Sequence, residues 1–432
     1  MPDAPHPPSP AVAAHDPPDV REPVDRRDHR RLGRRLDLFT SDELVGSGLP
    51  LWLPDGAVIR EQLERYIVDL ERDAGYQRVF SPVLGKRELY ERSGHLQHFR
   101  DDMFPPMDVG GEQLVLRPSN CPHHLLIYAS RQHSYRDLPV RLSELGTMFR
   151  YERSGVLGGL SRVRAMTLND AHVFVAPGQV ASEVAEVLGL IRRAYAVLGI
   201  DHHRLRLSLC GPQGSYVEAP AMWDRAQHAL RATLAADGAD WDEAPDEAAF
   251  YGPKIDVQVR DAQGHELTLS TVQVDFHLPS VFELSYRAAD GGLEQPVVIH
   301  RSLISTMERL VAHLIEWYRG RFPVWLAPVQ LALLPVDAVH HGVAQAVVAE
   351  AAGAGLRAEV VEARHSLGAR IRHAHERGVP FAGVIGDREA ADGTVSLRRR
   401  DGRRLEPMSP AVVVGGLSDL SRRRGKDLEL RC

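Results

Sequence analysis

The segment 142–175 constrains the fold more than any other stretch of the chain. An apolar and aromatic run at 145–151 and a second run at 162–175 flank the glycine-rich segment 152–159, which predicts two strands joined by a turn. Charged residues stand on both sides of this turn at alternate positions, namely Arg150, Glu152, Arg162 and Arg164. The hairpin is therefore either a solvated charged surface or a surface whose forked arginine donors clamp an anionic ligand.

Composition places the chain among ordinary globular proteins. Its 432 residues are 44% hydrophobic and 25% charged, which predicts two or three domains. The net charge of -6 gives no overall basic field for nucleic acid, although basic clusters stand at 21–35, 398–404 and 422–426. Three cysteines are too few for a disulfide framework and fit a reducing compartment.

The N-terminal segment 1–27 is rich in proline and predicts a disordered tail. It lacks the apolar core of a signal peptide, and no apolar run along the chain is long enough to span a membrane. These features predict a cytoplasmic protein without membrane partners.

Hydrophobic periodicity divides the rest of the chain into two parts. In the first part, predicted helices at 28–39, 57–74, 183–198 and 303–318 alternate with strands at 79–82, 201–209, 253–259, 267–276 and 296–300. This pattern predicts an α+β domain with a mixed, mainly antiparallel sheet. From residue 325 strands and helices alternate regularly, which predicts a small α/β domain.

Several motifs in order carry a resemblance to a known family. The segments FRYERSG, GGLSRVR and DAHVF in the hairpin resemble motif 2 of the class II aminoacyl-tRNA synthetases, in the threonyl form. The similarity runs from about residue 28 to about residue 420 and includes DHRRLGRRLDLF, SNCPHH, AFYGPK, VIHRSL, TMERL and FPVWLAPVQ.

The resemblance implies a domain plan. It implies a class II catalytic domain at 28–322, an anticodon-binding α/β domain at 326–425, and a C-terminal tail at 426–432. The helix and strand at 57–82 resemble motif 1, through which the family forms homodimers; an ordinary core helix is the alternative. Only about 27 residues precede the catalytic domain, so we expect no ubiquitin-like or editing domain upstream and no editing in cis.

A zinc site is implied by the same resemblance. Cys121 beside two histidines is a weak metal signal alone, but Cys121, His172 and His300 match the three ligands of the family's zinc, and we expect each on or beside a different strand. The metal's open positions would take the substrate's α-amino and β-hydroxyl groups. Asp170 would accept the hydroxyl proton. Tyr251 and Gln273 match positions near the substrate amino group.

The resemblance also implies an ATP site. Arg150 would hold the α-phosphate and the carboxylate, and Glu152 would bind the adenine amino group. The remaining positions are Arg162 and Arg309 for the outer phosphates, Lys254 near the α-phosphate and Met166 against adenine, with Mg²⁺ bridging the phosphates. A surface ion pair is the alternative for each arginine.

Several pocket positions depart from the family. Met166 stands in place of Phe, Leu168 in place of Gln, and Ser305 in place of Gly. The family's Gln-Cys-Gly is replaced by Thr268, Leu269 and Ser270, and its Met and Gly in the cysteine motif are replaced by Ser119 and His123. Because glycine allows a ligand close to the backbone, we expect the side chains of Ser270 and Ser305 to narrow the pocket.

In the C-terminal domain, Glu389 and Arg398 match positions that contact anticodon bases, and Arg364 replaces an Asn. Four further arginines could engage phosphates or form a solvated hairpin: Arg399, Arg400, Arg403 and Arg404.

Three functions are compatible with these residues. The first is an ATP-dependent threonine–tRNA ligase with zinc. The second is a divergent paralogue that activates threonine or another β-hydroxy amino acid for a non-ribosomal acceptor, or that confers inhibitor resistance. The third is a non-catalytic protein that binds threonine or tRNA, against which the retained metal and arginine positions argue.

Overall fold

The computed structural model describes residues 27–430. The predicted tail 1–27 therefore lies outside the described residues apart from Arg27. Up to residue 318 the helices are α1 (His29–Arg35), α2 (Pro54–Asp73), α3 (Arg87–Arg92), α4 (His95–His98), α5 (Cys121–Ala129), α6 (Val180–Leu198), α7 (Pro220–Asp237), α8 (Leu278–Val281) and α9 (Met307–Trp317). The strands of this part are β1 (Phe39–Thr40), β2 (Leu51–Trp52), β3 (Gln77–Arg78), β4 (Leu84–Lys86), β5 (Met107–Val109), β6 (Glu112–Leu116), β7 (Val140–Phe149), β8 (Ala165–Val175), β9 (Arg204–Ser208), β10 (Trp241–Ala244), β11 (Lys254–Arg260), β12 (Glu266–Asp275), β13 (Tyr286–Arg287), β14 (Leu293–Glu294) and β15 (Val297–Ser302).

An eight-stranded sheet organises the first part, in the order β10-β9-β11-β12-β15-β8-β7-β3. Its inner pairs are antiparallel, and only the two edge pairs, β10 with β9 and β3 with β7, are parallel. The predicted mixed, mainly antiparallel sheet is confirmed. The predicted hairpin forms β7 and β8, which lie between the edge strand β3 and the central strand β15.

Strand β8 directs alternate side chains to the hydrophobic core on one face of the sheet and to the candidate site on the other face. Ala171, Val173 and Val175 enter the main core, which helices α2, α6, α7 and α9 cover. The intervening Asp170 and His172 point to the opposite face, because successive side chains of a strand alternate. One strand thereby anchors the sheet and presents polar groups in front of it.

Several predicted elements have different bounds. The helix predicted at 28–39 ends at Arg35, and Phe39 already begins β1. The strand predicted at 79–82 is wrong: β3 ends at Arg78, and the Ser81 hydroxyl binds the Glu144 carboxylate at 2.6 Å. The helix predicted from 303 begins only at Met307, because the Thr306 hydroxyl caps it by accepting the Arg309 N–H.

The second part is a small α/β unit, as predicted. Its elements are β16 (Leu331–Pro335), α10 (His341–Gly353), β17 (Ala358–Val360), α11 (Leu367–Glu376), β18 (Phe381–Ile385), α12 (Asp387–Asp392), β19 (Ser396–Arg399) and α13 (Pro410–Arg422). The strand order is β17-β16-β18-β19, parallel except for β19. Helix α13 was not predicted, because its run of valines and paired glycines has low helix propensity; packing of Val413, Leu417 and Leu420 into the core stabilises it.

Within residues 27–430, no helix is long and apolar enough to cross a bilayer.

Candidate functional site

The three predicted metal ligands meet on the front of the central sheet. One ligand atom from each of Cys121, His172 and His300 lies within 4.8 Å of the other two. His172 and His300 are direct cross-strand partners on β8 and β15, whereas Cys121 is the first residue of α5. The expectation that each ligand lies on or beside a strand is therefore wrong for Cys121.

Hydrogen bonds aim the ligand atoms at a common point. His300 places Nδ1 3.3 Å from the Cys121 Sγ, while its Nε2 lies 2.9 Å from an oxygen of Asp275. Burial lowers the pKa of His300, but the Cys121 sulfur and Asp275 outweigh burial and raise the pKa to about 10. Ser119, a departure from the family pattern, donates its hydroxyl to the Cys121 sulfur.

The residues present fit a zinc ion. His172 is fully buried, and its Nε2 has no hydrogen-bond partner within the described part of the chain. A buried unpaired nitrogen is costly unless a ligand fills its lone pair. One thiolate and two imidazoles are a borderline-soft donor set that suits zinc and leaves a position open.

Asp170, Tyr251 and Gln273, which are predicted to bind the amino acid, lie around this cluster. The buried carboxylate of Asp170 accepts no hydrogen bond from the residues between 27 and 430, and burial raises its pKa. The Tyr251 hydroxyl donates to Gln273 at 2.6 Å, and its ring lies 4.8 Å from that of His300. The pocket thus offers an unused acceptor beside the cluster of Cys121, His172 and His300.

The predicted ATP arginines come together at the end of the hairpin. Arg309, on the first turn of α9, donates to the backbone oxygens of Ser161 and Thr268. Burial first, and then the charges of Arg150 and Arg162, lower its pKa. A cavity of about 450 Å³ adjoins Arg162 and Arg309. Clustered cations of this kind favour the binding of a polyanion.

Other predicted ATP-site residues are paired with each other. Glu152 accepts a hydrogen bond from the Arg162 Nε at 2.9 Å, and the Arg162 Nη2 lies 2.8 Å from the same oxygen. The Lys254 ammonium pairs with Asp256. Met166 packs with Met148 and Val163 in a small apolar cluster. Nothing in these contacts identifies an adenine pocket, so the roles of Glu152, Lys254 and Met166 stay predictions.

The expectation that Ser270 narrows the pocket is wrong. Its hydroxyl lies behind the sheet, where it contacts the Tyr195 hydroxyl at 2.7 Å and donates to the Leu303 carbonyl oxygen. Gln273 faces the site beside His300, so strand alternation places Ser270 on the opposite face with the core residue Val272. A β-bulge opposite Val257 and Gln258 places Leu269 on that face as well. Of the three replaced residues at 268–270, Thr268 is the one that faces the site, where it lines the cavity beside Arg309.

Ser305 differs from Ser270 because its backbone is unusual. Its φ of 62° lies in the left-handed region, and its carbonyl accepts the N–H of Asn169 on β8. Glycine reaches this conformation at no steric cost, whereas a residue with a Cβ does not.

We expect Ser305→Gly to raise the free energy of unfolding by roughly 0.5–1 kcal/mol, because relief of the left-handed strain exceeds the added chain entropy of glycine. We also expect a lower KM for ATP, because the ligand then approaches the backbone more closely. Urea denaturation and ATP-dependent exchange kinetics measure the two effects.

Ser143→Gly is the matched control, since Ser143 is also buried but lies in the extended strand β7. This variant should lose stability. A Ser305→Gly protein that is no more stable would contradict the strain, and an unchanged KM would show that the side chain does not reach the nucleotide.

The predicted RNA-contacting residues lie in the second unit. The Glu389 carboxylate accepts the Gly386 N–H and the Ser396 hydroxyl, and Arg398 lies on β19. Arg400, predicted to engage phosphates, instead turns inward and donates to the backbone oxygens of Phe322 and Gly378. Arg399 is likewise paired, with Asp401 and Glu429.

Sequence reasoning missed the residues that hold His172 and His300 in place. They are Asp275 next to His300, and His124, Glu144 and Arg117 behind His172. His124 lies in the SNCPHH motif, so its position in the sequence indicated that it could belong to the site. Glu144 and Arg117 lie outside the motifs around Cys121, His172 and His300, so no sequence pattern indicated their role.

Comparison with known proteins agrees with the architecture. Residues 104–318 match the tRNA synthetase class II core domain (G, H, P, S and T), and residues 330–420 match an anticodon-binding domain. The sheet, its arginine-bearing hairpin and the following helix are thus those of the class II aminoacyl-tRNA synthetases.

Individual relatives narrow the class. The chain is 51% identical over 400 residues to "Threonine--tRNA ligase" of Geobacillus sp. (strain WCH70) and 52% identical over 395 residues to that of Anoxybacillus flavithermus. These alignments cover 92% and 91% of this chain but only 62% and 61% of those proteins.

Two solved structures are similar along nearly their whole length. The RNA-binding domain of threonyl-tRNA synthetase from Cryptosporidium parvum superposes with a TM-score of 0.87 at 34% identity, covering 91% of this chain and 98% of that one. A putative threonyl-tRNA synthetase from Aeropyrum pernix gives a TM-score of 0.80 at 27% identity, covering 93% and 98%. The chain therefore belongs to the threonyl-tRNA synthetase family, as its motifs predicted.

Proposed function

We propose that this chain activates threonine with ATP and Mg²⁺ and transfers it to tRNA(Thr). The observation that carries the proposal is the unpaired Asp170 carboxylate beside the buried cluster of Cys121, His172 and His300. An amino acid with a β-hydroxyl supplies the donor that this carboxylate lacks. The names of the relatives support the same reaction.

The arginines supply the chemistry of activation. Adenylate formation brings a carboxylate against the α-phosphate, so two anions must approach in line. Arg150, which makes no side-chain hydrogen bond within 27–430, is free to hold both, while Arg162 and Arg309 neutralise the outer phosphates. When bound, zinc would act as a Lewis acid that fixes the amino and hydroxyl groups of the substrate.

The proposed assembly follows the domain plan. Residues 28–322 form the catalytic unit and 326–425 the anticodon-binding unit, in which Glu389 and Arg398 contact anticodon bases. Homodimers form through 57–82, where the Phe80 side chain is 76% exposed beside the exposed Val83. The protein acts in the cytoplasm. The comparisons do not favour a paralogue with a non-ribosomal acceptor.

The metal is the first test. Purified protein should carry about one zinc per chain, and Cys121→Ala should lose it together with threonine-dependent pyrophosphate exchange. Elemental analysis and the exchange assay measure the two effects. Cys210→Ala is the matched control, because Cys210 is half-buried, its sulfur accepts a hydrogen bond from the Gln227 amide, and it does not belong to the cluster of Cys121, His172 and His300.

Zinc retained in Cys121→Ala would contradict the ligand assignment. Full exchange activity in a zinc-free protein would contradict the proposed role of the metal, while leaving the family and the arginine site untouched.

A further inference from the structure

A buried chain of hydrogen bonds runs from His172 to the segment that follows β3. The Nδ1 of His172 lies 2.8 Å from the Nδ1 of His124, and the Nε2 of His124 lies 3.1 Å from an oxygen of Glu144. Glu144 in turn accepts from Arg117 at 3.0 Å and from the Ser81 hydroxyl at 2.6 Å. His124, His172, Glu144 and Arg117 are all at most 3% exposed.

The carboxylate of Glu144 is ionised and can therefore only accept hydrogen bonds. Burial raises its pKa, but the hydrogen bonds from His124 and Ser81 and the charge of Arg117 outweigh burial and lower the pKa to about 2. Arg117 is fixed as well, because its Nε donates to the Thr147 carbonyl oxygen and its Nη1 donates to Ser81. An ionised carboxylate has no proton to give, so the contact with His124 requires a proton on the histidine.

The position of the proton on His124 in turn fixes the position of the proton on His172. If His124 carries its proton on Nε2, its Nδ1 is a lone pair and must accept. His172 must then donate from Nδ1, which leaves the lone pair on its Nε2. That nitrogen is the one without a partner among the described residues, and a neutral imidazole with this lone pair is what a metal needs.

We propose that Glu144, acting through His124 and held by Arg117 and Ser81, is a positioning residue that fixes the metal-binding tautomer of His172. The inference rests on the proposed metal site and deepens it. It also connects the metal ligand to the segment 79–82, where Ser81 is a neighbour of the exposed Phe80 in the proposed dimer interface.

Glu144→Gln is the direct test, because it keeps the shape of the side chain and changes one acceptor into a donor. Arg117 can only donate, so the new amide oxygen faces Arg117 and the amide NH₂ faces His124. His124 must then accept on Nε2 and donate from Nδ1, and the proton of His172 moves to Nε2. The metal-binding lone pair is lost.

We expect the apparent zinc affinity of Glu144→Gln to fall about 10- to 100-fold, the usual size for an outer-shell partner of a metal-bound histidine. Competition with a chelator at fixed pH measures the affinity. NMR of metal-free protein with isotopically labelled histidine should show the proton of His172 on Nδ1 in the unchanged chain and on Nε2 in the variant.

Two further variants separate tautomer control from folding. Ser81→Ala removes one donor to Glu144 without reversing any proton, so its affinity should fall only roughly 2- to 10-fold. Glu183→Gln is the matched control: Glu183 is a buried carboxylate paired with Arg141 of the same strand β7, and it contacts neither histidine. Its zinc affinity should not change.

The outcomes distinguish this inference from the proposed function. An unchanged chain that binds no zinc would overturn the metal site itself. If the unchanged chain binds zinc tightly and Glu144→Gln binds it with an affinity within a factor of about three, the positioning role of Glu144 is overturned and the metal site stands. If Glu144→Gln does not fold, equal affinities for Ser81→Ala and Glu183→Gln would overturn it too.

Discussion

Threonine is expected to be activated about 10⁴ to 10⁵ times more efficiently than valine, measured as the ratio of kcat/KM in amino-acid-dependent pyrophosphate exchange. Valine has nearly the shape of threonine but lacks the hydroxyl, so it leaves the buried Asp170 and the metal position beside it unsatisfied. Serine keeps the hydroxyl and loses one methyl group, which is worth roughly a 10- to 200-fold discrimination.

Asp170→Ala identifies the source of the valine discrimination. This variant should lower kcat/KM for threonine and leave the small value for valine nearly unchanged, so that the ratio collapses. Serine discrimination above about 10⁴ at the activation step would contradict the argument. It would show that Leu168 or Thr268, both departures from the family pattern, has reshaped the pocket around the methyl group.

Arg150→Ala and Arg309→Ala are each expected to slow adenylate formation by a factor of about 10² or more, the usual size for a donor that stabilises a transition state. Arg309 also ties α9 to the loop at Ser161, so its variant needs a stability measurement beside the exchange assay. Arg309→Lys should recover only part of the rate, because an ammonium keeps the positive charge but lacks the paired N–H donors of the guanidinium.

Arg231→Ala is the control for both arginine variants. Arg231 forms an exposed pair with Glu243 on the outer edge of the sheet and should leave the exchange rate unchanged. Near-normal rates in Arg150→Ala and Arg309→Ala would mean that the hairpin is not the nucleotide clamp.

Sequence alone predicted the sheet class, the hairpin and the three residues that meet in the buried cluster. The reason is that β8 alternates core and polar residues with a period of two, and that motifs around Cys121, His172 and His300 match one family template. Local errors arose where tertiary contacts override local signals, as at 79–82, where a predicted strand gives way to side-chain bonds from Ser81 to Glu144.

The direction in which side chains point was decided by the tertiary structure. Leu269 lies behind the sheet together with Ser270 because a bulge opposite Val257 shifts the alternation by one residue, and the sequence gives no local signal for a bulge. Arg400 looks like a solvent-facing phosphate ligand in sequence but binds the backbone of Phe322, because the two units pack together there.

The amino-acid sequence by itself determined which chemical groups this protein has and on which elements they lie, since periodicity and motif spacing are local properties of the chain. Only the tertiary structure decided the protonation of those groups. The lone pair of His172 depends on Glu144 and Arg117, which reach it through His124 across neighbouring elements. Such a chain of donors and acceptors exists only once the sheet and α5 have packed.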